Sequence, residues 1–211
     1  MATTAQKAAP TARKAASAAQ KASSAAQKSA PTARKGMTAP PSSAYKIVDI
    51  PELHRELIQR CGAPGTYVGP SEQESPWVPF GPKAAIRHLA FDTLHNTFMN
   101  MLWVKEPGVI GTHKHRGTVV MVCLEGSTRY LEYDWVATPG SFIYEPPGLT
   151  HTLVTDNPTG VKLFGWLQGP IEWYDDQGKF IETSDVFFFM NHYETYCREH
   201  NIPINKELYL T

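Results

Sequence analysis

Two histidines separated by a single lysine lie in the segment GTHKHRGTVVMVCLEG, from Gly111 to Gly126. The β-branched and apolar residues that follow them are typical of a β-strand. Because successive side chains of a strand alternate between its two faces, His113 and His115 point to the same side and can bind one metal ion. Composition alone would give such a pair in roughly one of three or four chains of this kind, so a metal site needs a further ligand from a neighbouring strand.

A third histidine follows a rigid turn in the segment PGSFIYEPPGLTH. Downstream of Gly140, the turn residues Pro146 and Gly148 hold His151 at the start of the next strand. The three histidines together predict a metal site with imidazole ligands. The other histidines lack convergent spacing and are expected to be surface or structural residues: His54, His88, His95, His192 and His200.

Short segments rich in Val, Phe, Tyr and Trp alternate with turns such as EPG, TPG, PPG and DQG between about residues 65 and 182. These segments include TFMNMLWV, TVVMVCL, SFIYE and VKLFGWL. Many short strands joined by turns indicate an all-β domain, an antiparallel sandwich or barrel.

A helix is predicted on each side of these strands. In DIPELHRELIQRCG, Asp49 is placed as the N-cap, Glu52 completes a capping box, and Gly62 ends the helix. Near the C-terminus, apolar residues recur at helical spacing after a cap formed by Ser184 and Asp185, which predicts an amphipathic helix covering the sheet or a subunit interface. Its apolar face comprises Val186, Phe189, Met190, Tyr193 and Cys197.

These patterns divide the protein into a tail (1–36), a linker with the short helix (37–64), a barrel (65–183), and a C-terminal helix and tail packed on the barrel (184–211). The tail has near-repeats of Ala, Ser and Lys, seven basic residues, and neither acidic nor aromatic residues. It is expected to be disordered, because it has almost nothing to bury. Its composition fits a tag or extension upstream of Met37, an organelle transit peptide, or a nucleic-acid-binding tail.

The composition also argues against several classes for the main domain. Beyond the tail, 13 basic residues stand against 20 acidic residues, so no nucleic-acid partner is expected. Cys61, Cys123 and Cys197 lie far apart, which indicates neither a disulfide framework nor a cysteine zinc site and favours a cytoplasmic location. No apolar run approaches the roughly 20 residues of a membrane span, so no membrane association is expected.

The two histidine segments resemble the paired motifs of the cupin superfamily, which are small antiparallel β-barrels of the jelly-roll type. The first cupin motif supplies HxH and usually a Glu, and the second supplies a final His after a PxG turn. This sequence matches the second motif across residues 140–151 and the first at His113, His115 and Gly126. With the two predicted helices, the expected fold is an all-β cupin barrel with a short N-terminal helix and a C-terminal helix.

The position that usually holds the cupin carboxylate ligand is Val119 in this sequence. A valine cannot bind metal, so the resemblance implies three neutral imidazoles, with about three positions of an octahedral ion open and its +2 charge uncompensated. Such an ion favours an anionic, bidentate oxygen ligand and leaves a place for dioxygen. Iron(II) can pass an electron to oxygen, whereas zinc acts only as a Lewis acid; we therefore expect Fe(2+) as cofactor and O2 as co-substrate.

Within the cupins, residues 37–211 resemble the 2,4'-dihydroxyacetophenone dioxygenases, iron enzymes of bacterial aromatic catabolism. The resemblance rests on the three histidines without a glutamate and on the segments TRYLEYDW and YEPPGLTH. It implies a non-haem iron(II) dioxygenase that cleaves the carbon–carbon bond between the carbonyl and hydroxymethyl groups of an aryl α-hydroxyketone, giving 4-hydroxybenzoate and formate. The family's iron ligands fall on His113, His115 and His151, and the tyrosine and glutamate behind them fall on Tyr130 and Glu145.

Tyr130 and Glu145 can both take part in the proposed reaction. The Tyr130 hydroxyl can donate a hydrogen bond to a bound substrate oxygen, and Glu145 can take the proton from the substrate's hydroxyl or α-carbon. The alternatives without a catalytic role are that Tyr130 is a core residue and that Glu145 is a solvated carboxylate at the end of a strand. Glu132 lies on the same face of its predicted strand as Tyr130 and is an alternative metal ligand or base.

A small aromatic ketone needs a flat apolar pocket. Candidate lining residues are Phe98, Met101, Trp103, Met121, Phe142, Phe164 and Trp166. Two further functions remain open: a three-histidine dioxygenase acting on a thiol or β-diketone, and a non-catalytic zinc-binding cupin sensor. The barrel-edge strands and the Phe-rich terminal helix favour a homodimer or homotetramer.

Overall fold

Two antiparallel β-sheets and two α-helices make up residues 51–62 and 65–210, the part of the protein that the computed structural model describes. The tail predicted for 1–36 and the start of the linker lie outside the described residues. The helices are α1 (Glu52–Cys61) and α2 (Val186–Glu199), and a 3-10 helix covers Lys206–Leu208. The strands are β1 (Trp77–Phe80), β2 (Ala84–Asp92), β3 (Thr97–Val104), β4 (Gly108–His115), β5 (Val119–Gly126), β6 (Arg129–Tyr130), β7 (Phe142–Glu145), β8 (Thr150–Thr155), β9 (Val161–Gln168), β10 (Ile171–Tyr174) and β11 (Phe180–Ser184).

The strands form two sheets that share one apolar core. The first sheet has the strand order β1, β2, β3, β9, β5, β7, and the second has the order β11, β10, β4, β8, β6. The core contains Val119 and Leu163 from the first sheet, Leu153 from the second and Phe189 from α2. The predicted all-β antiparallel barrel, with a short helix before it and a helix after it, is confirmed.

Alternating burial along the first sheet separates an inner face from an outer face. In β9, Val161, Leu163 and Leu167 are buried, while the side chains between them point outward. Two of the pocket candidates, Phe98 and Met121, lie on the inner face. The other five lie on the outer face: Met101, Trp103, Phe142, Phe164 and Trp166. These five do not line the barrel interior, because they have the opposite parity from the buried residues of their strands.

Helix α2 begins where the sequence places its cap. The Asp185 carboxylate accepts a hydrogen bond from the Phe188 N–H at 2.9 Å, which satisfies one of the free donors of the first helical turn. Phe189 faces the barrel, and its ring centroid lies 4.5 Å from that of Phe98 on β3. The helix therefore packs against the first sheet. Among the described helices, none has the length and apolarity needed to cross a bilayer.

Two histidines connect α2 to the sheet. The His192 Nε2–H donates to the Pro79 carbonyl at 2.8 Å, so its Nδ1 accepts from the His88 Nε2–H at 3.1 Å. Burial, and then the charge of His192, hold the pKa of His88 well below its usual value of 6.5. His88 is therefore a neutral structural residue, and its hydrogen bond to His192 helps to dock α2 on the sheet.

The metal-free protein is expected to lose stability in mild acid. The folded-state pKa of His88 lies below 6.5, so below that pH the unfolded protein binds more protons than the folded protein, and the free energy of unfolding decreases. His88 alone contributes up to about 1.4 kcal/mol per pH unit. Urea denaturation at several pH values checks this, and a pH-independent free energy of unfolding between pH 7 and pH 5 would contradict it.

Candidate metal centre

Two adjacent strands of the second sheet position the three histidines. His113 and His115 lie on β4 with one residue between them, and β8 places His151 directly opposite His113 in the register of the pair. All three side chains are buried. One ring nitrogen from each histidine lies within 4.8 Å of the other two. The structure thus brings together the three residues that the sequence predicts as ligands.

A bulge in β4 orients His113. The pairing with β8 shifts register between Val109 and Gly111, and Gly111 has a φ of +117°, which favours glycine. The Gly111 carbonyl accepts a hydrogen bond from the His113 Nδ1–H at 3.1 Å. Because Nδ1 carries the proton, the His113 Nε2 lone pair is free to bind a cation.

Two of the buried imidazoles, those of His113 and His115, are neutral. Burial, together with the neighbouring His151 and His115, holds the pKa of His113 well below its usual value. Burial also lowers the pKa of His115 to about 4, although the charge of Glu145 opposes the shift. Only a neutral imidazole binds metal, so both side chains are in the ligand form at neutral pH.

A buried carboxylate lies against the histidines. Glu145 ends β7, and its side chain is 0% exposed. Its Oε1 accepts a hydrogen bond from the Tyr130 hydroxyl, and its Oε2 lies 3.2 Å from the Nε2 atoms of both His115 and His151. Burial alone would raise the pKa of Glu145, but His151, His115 and the Tyr130 hydroxyl together hold it below its usual value. Glu145 is therefore ionised.

The ring of Tyr130 forms one wall of the site, and its hydroxyl donates the hydrogen bond to Glu145. Its ring centroid lies 3.8 Å from that of His151. Burial, together with the charge of Glu145, raises the pKa of the phenol well above its usual value, so the hydroxyl remains a neutral donor. The structure thus places Tyr130 and Glu145 in one pair beside the histidines; their catalytic roles stay predictions.

Glu132 has a different position. Its two carboxylate oxygens accept hydrogen bonds from the Thr152 N–H and the Thr152 hydroxyl, both at 2.9 Å. Burial would raise the pKa of Glu132, but these hydrogen bonds lower it below its usual value. Glu132 therefore fixes the backbone of β8 next to His151, which supports a ligand rather than supplying one.

Two separate cavities adjoin residues of the site. The cavity inside the barrel measures about 50 Å³ and is lined by His113, His115 and apolar side chains. An open cleft of about 360 Å³ is lined in part by Tyr130 and Glu145. The other side chains of the cleft are mainly aromatic or apolar: Tyr133, Trp135, Val136, Phe142, Ile143, Tyr144, Pro146 and Leu149.

Sequence reasoning missed Trp173, whose ring packs against His113 at an interplanar angle of 40°. Trp173 pairs with His113 in the register of β10 and β4, and their ring centroids lie 4.8 Å apart. Its indole N–H donates to the Ser184 hydroxyl at 3.0 Å, which fixes the ring. The alternation in the segment IEWY gives Trp173 the same parity as the buried Ile171, and this signal was available in the sequence.

The donor atoms of this cluster fit a metal ion. Glu145 Oε2 and His151 Nε2 are both buried and lie 3.2 Å apart, and neither has a partner in good hydrogen-bond geometry among the residues that the structure describes. Unsatisfied buried polar atoms are costly and rare in folded proteins. Imidazole nitrogen and carboxylate oxygen are ligands that zinc and iron(II) accept. A divalent cation at this point would satisfy both atoms.

Comparison with known proteins supports this interpretation of the barrel. Residues 68–168 match the family described as the ChrR Cupin-like domain. No curated protein sequence matches this one significantly.

Solved structures with the same fold include several bacterial cupins. An RmlC-like cupin protein from Ralstonia eutropha JMP134 is 26% identical, covers 67% of this chain and 94% of its own, and has a TM-score of 0.62. A cupin-like protein of unknown function from the same organism is 23% identical, with coverages of 64% and 87% and a TM-score of 0.59. An acetylacetone dioxygenase from Acinetobacter johnsonii is 18% identical, with coverages of 63% and 93% and a TM-score of 0.55. The predicted cupin fold is confirmed, and residues 68–168 are similar to the ChrR Cupin-like domain.

Proposed function

We propose that this protein is a non-haem iron(II) dioxygenase that cleaves the bond between the carbonyl and hydroxymethyl carbons of an aryl α-hydroxyketone. The proposed reaction converts 2,4'-dihydroxyacetophenone and O2 to 4-hydroxybenzoate and formate, with release of two protons. One observation carries the proposal: three buried imidazoles converge beside a Tyr130–Glu145 pair that also lines an aromatic cleft. This arrangement joins a metal site, a proton acceptor and a place for an aromatic ring.

The residues of the site have separate roles in this reaction. Bound iron(II) would supply an electron to dioxygen and a positive charge for the anionic substrate. The ionised Glu145 takes the proton from the substrate's hydroxyl or α-carbon. Tyr130 stays protonated and donates a hydrogen bond, which orients the carboxylate.

Cavity size favours the cleft as the place for the aromatic ring. Pockets for small organic ligands measure about 300–1,000 Å³; the cleft of about 360 Å³ lies in this range, and the cavity of about 50 Å³ does not. The rings of Tyr133 and Trp135 stack at 5.7 Å and an angle of 25° in the cleft wall. The ring of the substrate lies against such side chains, with its hydroxyketone end directed at Tyr130 and Glu145.

Oxygen uptake tests the proposal. The iron-loaded protein is expected to consume O2 with 2,4'-dihydroxyacetophenone and to release 4-hydroxybenzoate and formate in equal amounts, as measured with an oxygen electrode and by chromatography. Acetylacetone and cysteine are the comparison substrates, because β-diketone and thiol dioxygenases also use three histidines. If O2 is consumed only with acetylacetone or only with cysteine, that compound would replace the aryl α-hydroxyketone as the proposed substrate. The absence of uptake with every aryl α-hydroxyketone would contradict the proposal.

A non-catalytic zinc-binding module is the second candidate. The proximity of Glu145 to the histidines favours it, because three imidazoles and one carboxylate can complete a tetrahedral zinc site. Metal analysis of protein purified without added metal separates the candidates. Stoichiometric zinc without turnover after iron loading would support the second one.

We also propose that two copies of the protein associate through the outer face of the first sheet. Leu124 on β5 is 40% exposed, and Met101, Phe164 and Trp166 continue the apolar face across β3 and β9. Large exposed apolar patches are typical of interaction sites. Light scattering is expected to give twice the mass of one copy, and Phe164→Asp, which changes a residue outside the cleft, is expected to give a monomer. A monomeric wild-type protein at micromolar concentration would contradict this.

A further inference from the structure

Helix α1 presents an apolar face that its own chain leaves uncovered. None of its ten residues is buried, and Leu53, Leu57 and Ile58 are 64%, 39% and 59% exposed. Residues four positions apart lie on one face of a helix, so Leu53, Leu57 and Cys61 form a stripe that Ile58 borders. Isolated helices shorter than about 12–15 residues are only marginally stable in water. A helix as short as α1 therefore needs a surface to pack against.

A groove of matching length runs along α2. It measures about 560 Å³. One wall consists of the α2 residues that follow one another at helical spacing from Phe188 to His200, and the edge strand β1 supplies Val78 and Pro79. At a rise of 1.5 Å per residue, the groove is about 18 Å long and α1 is about 15 Å long. The groove can therefore hold the whole of a helix like α1.

We propose that α1 of one copy of the protein occupies this groove in a second copy, and that the second copy returns the contact. The lining of the groove includes none of the three clustered histidines, so the inference goes beyond the proposed reaction and does not depend on it. The chain before β1 can reach a neighbour. Arg87 on β2 binds the carbonyl oxygens of Gly69 and Ser71, and residues 62–68 in front of them can span up to about 25 Å.

The groove is built from side chains whose positions are already fixed. The His192 Nε2–H donates to the Pro79 carbonyl at 2.8 Å, and its Nδ1 accepts from His88 at 3.1 Å. The rings of Tyr196 and His200 stack at 3.9 Å, and the His200 Nδ1–H donates to the Tyr196 carbonyl at 2.9 Å. A surface that keeps its shape loses little conformational entropy when it binds a partner.

The edge of β1 suits a helix better than an extended peptide. Pro79 has no N–H, and its carbonyl already accepts a hydrogen bond from His192. A strand added at this edge would find neither a donor nor an acceptor at that position. A helix satisfies its backbone internally, so only its side chains have to match the groove. Amphipathic helices enter apolar grooves through anchors at the spacing of Leu53 and Leu57.

Interface area favours the reciprocal exchange over a simple pair of α1 helices. A helix about 11 Å across and about 15 Å long contributes about 250 Å² when half of it is covered, or about 500 Å² together with the surface that covers it. A single contact between two α1 helices therefore falls below the roughly 1,000 Å² that a specific interface needs. Two exchanged helices reach that area.

The charges at one end of the groove give the docked helix a direction. Glu199 belongs to the groove wall at the C-terminal end of α2, and Arg60 lies in the last turn of α1. The C-terminal end of a helix carries a partial negative charge, which adds to the attraction of Glu199 for an arginine. We therefore place α1 parallel to α2, with Arg60 beside Glu199 and Cys61 close to Thr195.

Cross-linking through the native Cys61 tests the docking. Cys61 is exposed, whereas Cys123 and Cys197 are buried. The full-length wild type is co-expressed with a tagged Cys61→Ser, Thr195→Cys protein, and the mixture is treated with a short thiol-specific bismaleimide. Neither protein carries both cysteines, so a linked heterodimer requires contact between two copies. We expect this heterodimer, with the link between Cys61 and position 195 identified by mass spectrometry.

A matched control moves the added cysteine away from the groove. Thr159→Cys in the Cys61→Ser background places an exposed thiol in the turn before β9, outside the groove lining. It should give no heterodimer above the level of Cys61→Ser alone.

Two aspartate variants of α1 test the face that docks. Leu57→Asp places a charge in the apolar stripe, and Gln59→Asp places the same charge on the opposite side of the helix. Both positions are exposed, so neither variant should disturb the barrel. We expect Leu57→Asp to weaken the association by at least about 10-fold, since the burial of a leucine side chain contributes at least such a factor. Gln59→Asp should associate like the wild type across the same dilution series.

The absence of the heterodimer with Thr195→Cys would overturn the proposal, as would equal effects of the two aspartate variants. A link formed only within a single chain that carries both Cys61 and Thr195→Cys would show that α1 docks on its own barrel, and it would overturn the proposal equally. If the link forms while Phe164→Asp stays dimeric, the exchange stands and the association through the first sheet fails. A wild-type dimer without the link has the opposite meaning, and oxygen uptake bears on neither.

Discussion

Replacing His151 with alanine is expected to abolish the retention of metal through purification. His151 is 0% exposed, and its Nε2 has no partner in good hydrogen-bond geometry among the described residues, which suits a nitrogen that binds a cation. The variant keeps two imidazoles on one strand but loses the ligand that closes the site from β8. We expect a loss in affinity of at least about 100-fold, greater than the effect of removing a partner behind the ligands.

Elemental analysis of the purified protein, expressed as metal per protein molecule, measures this effect. His95→Ala is a suitable control, because His95 is an exposed histidine that contacts Asp92 at 2.7 Å and takes no part in the cluster. Circular dichroism shows whether both variants are folded. A folded His151→Ala protein with the metal content of the wild type would contradict the proposed ligand set.

Replacing Gly160 with alanine is expected to produce the largest loss of stability. Gly160 follows β8 in the turn that leads into β9, and its φ is +73°, a conformation that residues with a Cβ rarely adopt. A Cβ atom added there would lie 1.9 Å from the Val104 carbonyl oxygen and 2.9 Å from the Lys105 carbonyl carbon. The backbone must move to relieve this clash, and we expect a loss of at least about 4 kcal/mol in the free energy of unfolding.

Gly178→Ala is a control that measures the cost of the backbone conformation without the steric clash. Gly178 has a similar φ of +76°, but a Cβ atom added there meets nothing within 4 Å. Its cost is therefore the conformational strain alone, about 1–2 kcal/mol. Urea denaturation of both variants measures the difference, and equal losses of stability would show that the close approach of Val104 is unimportant.

Local patterns in the sequence were sufficient for much of this fold. The period of two in the strands identifies which residues share a face, so that His113 and His115 point together without knowledge of any neighbour. The turn at Pro146 and Gly148 identifies the start of β8, and the Asp185 cap identifies the start of α2. These features depend on residues within a few positions of one another, and such local preferences survive in the folded state.

The direction of the first-sheet side chains required the tertiary structure. The parity of β9 shows that Phe164 and Trp166 share a face, but it does not show whether that face is the inner or the outer one. Apolar residues occur on both faces of this sheet, so composition does not separate them. Packing against the second sheet decides, because the residues that alternate with these two are the ones that fill the barrel.

The position of the carboxylate depends on contacts between distant parts of the sequence. The sequence determined that the second cupin motif ends in His151, that position 119 lacks a metal donor, and that Glu145 ends a strand. Only the register of β5 against β7 puts Glu145 across from Val119 and within 3.2 Å of two histidine nitrogens. A shift of one residue would turn the carboxylate to the outer face. The physical reason is that ligand identity is a local property of the sequence, whereas the meeting of ligands depends on strand pairing and on the burial that selects one register.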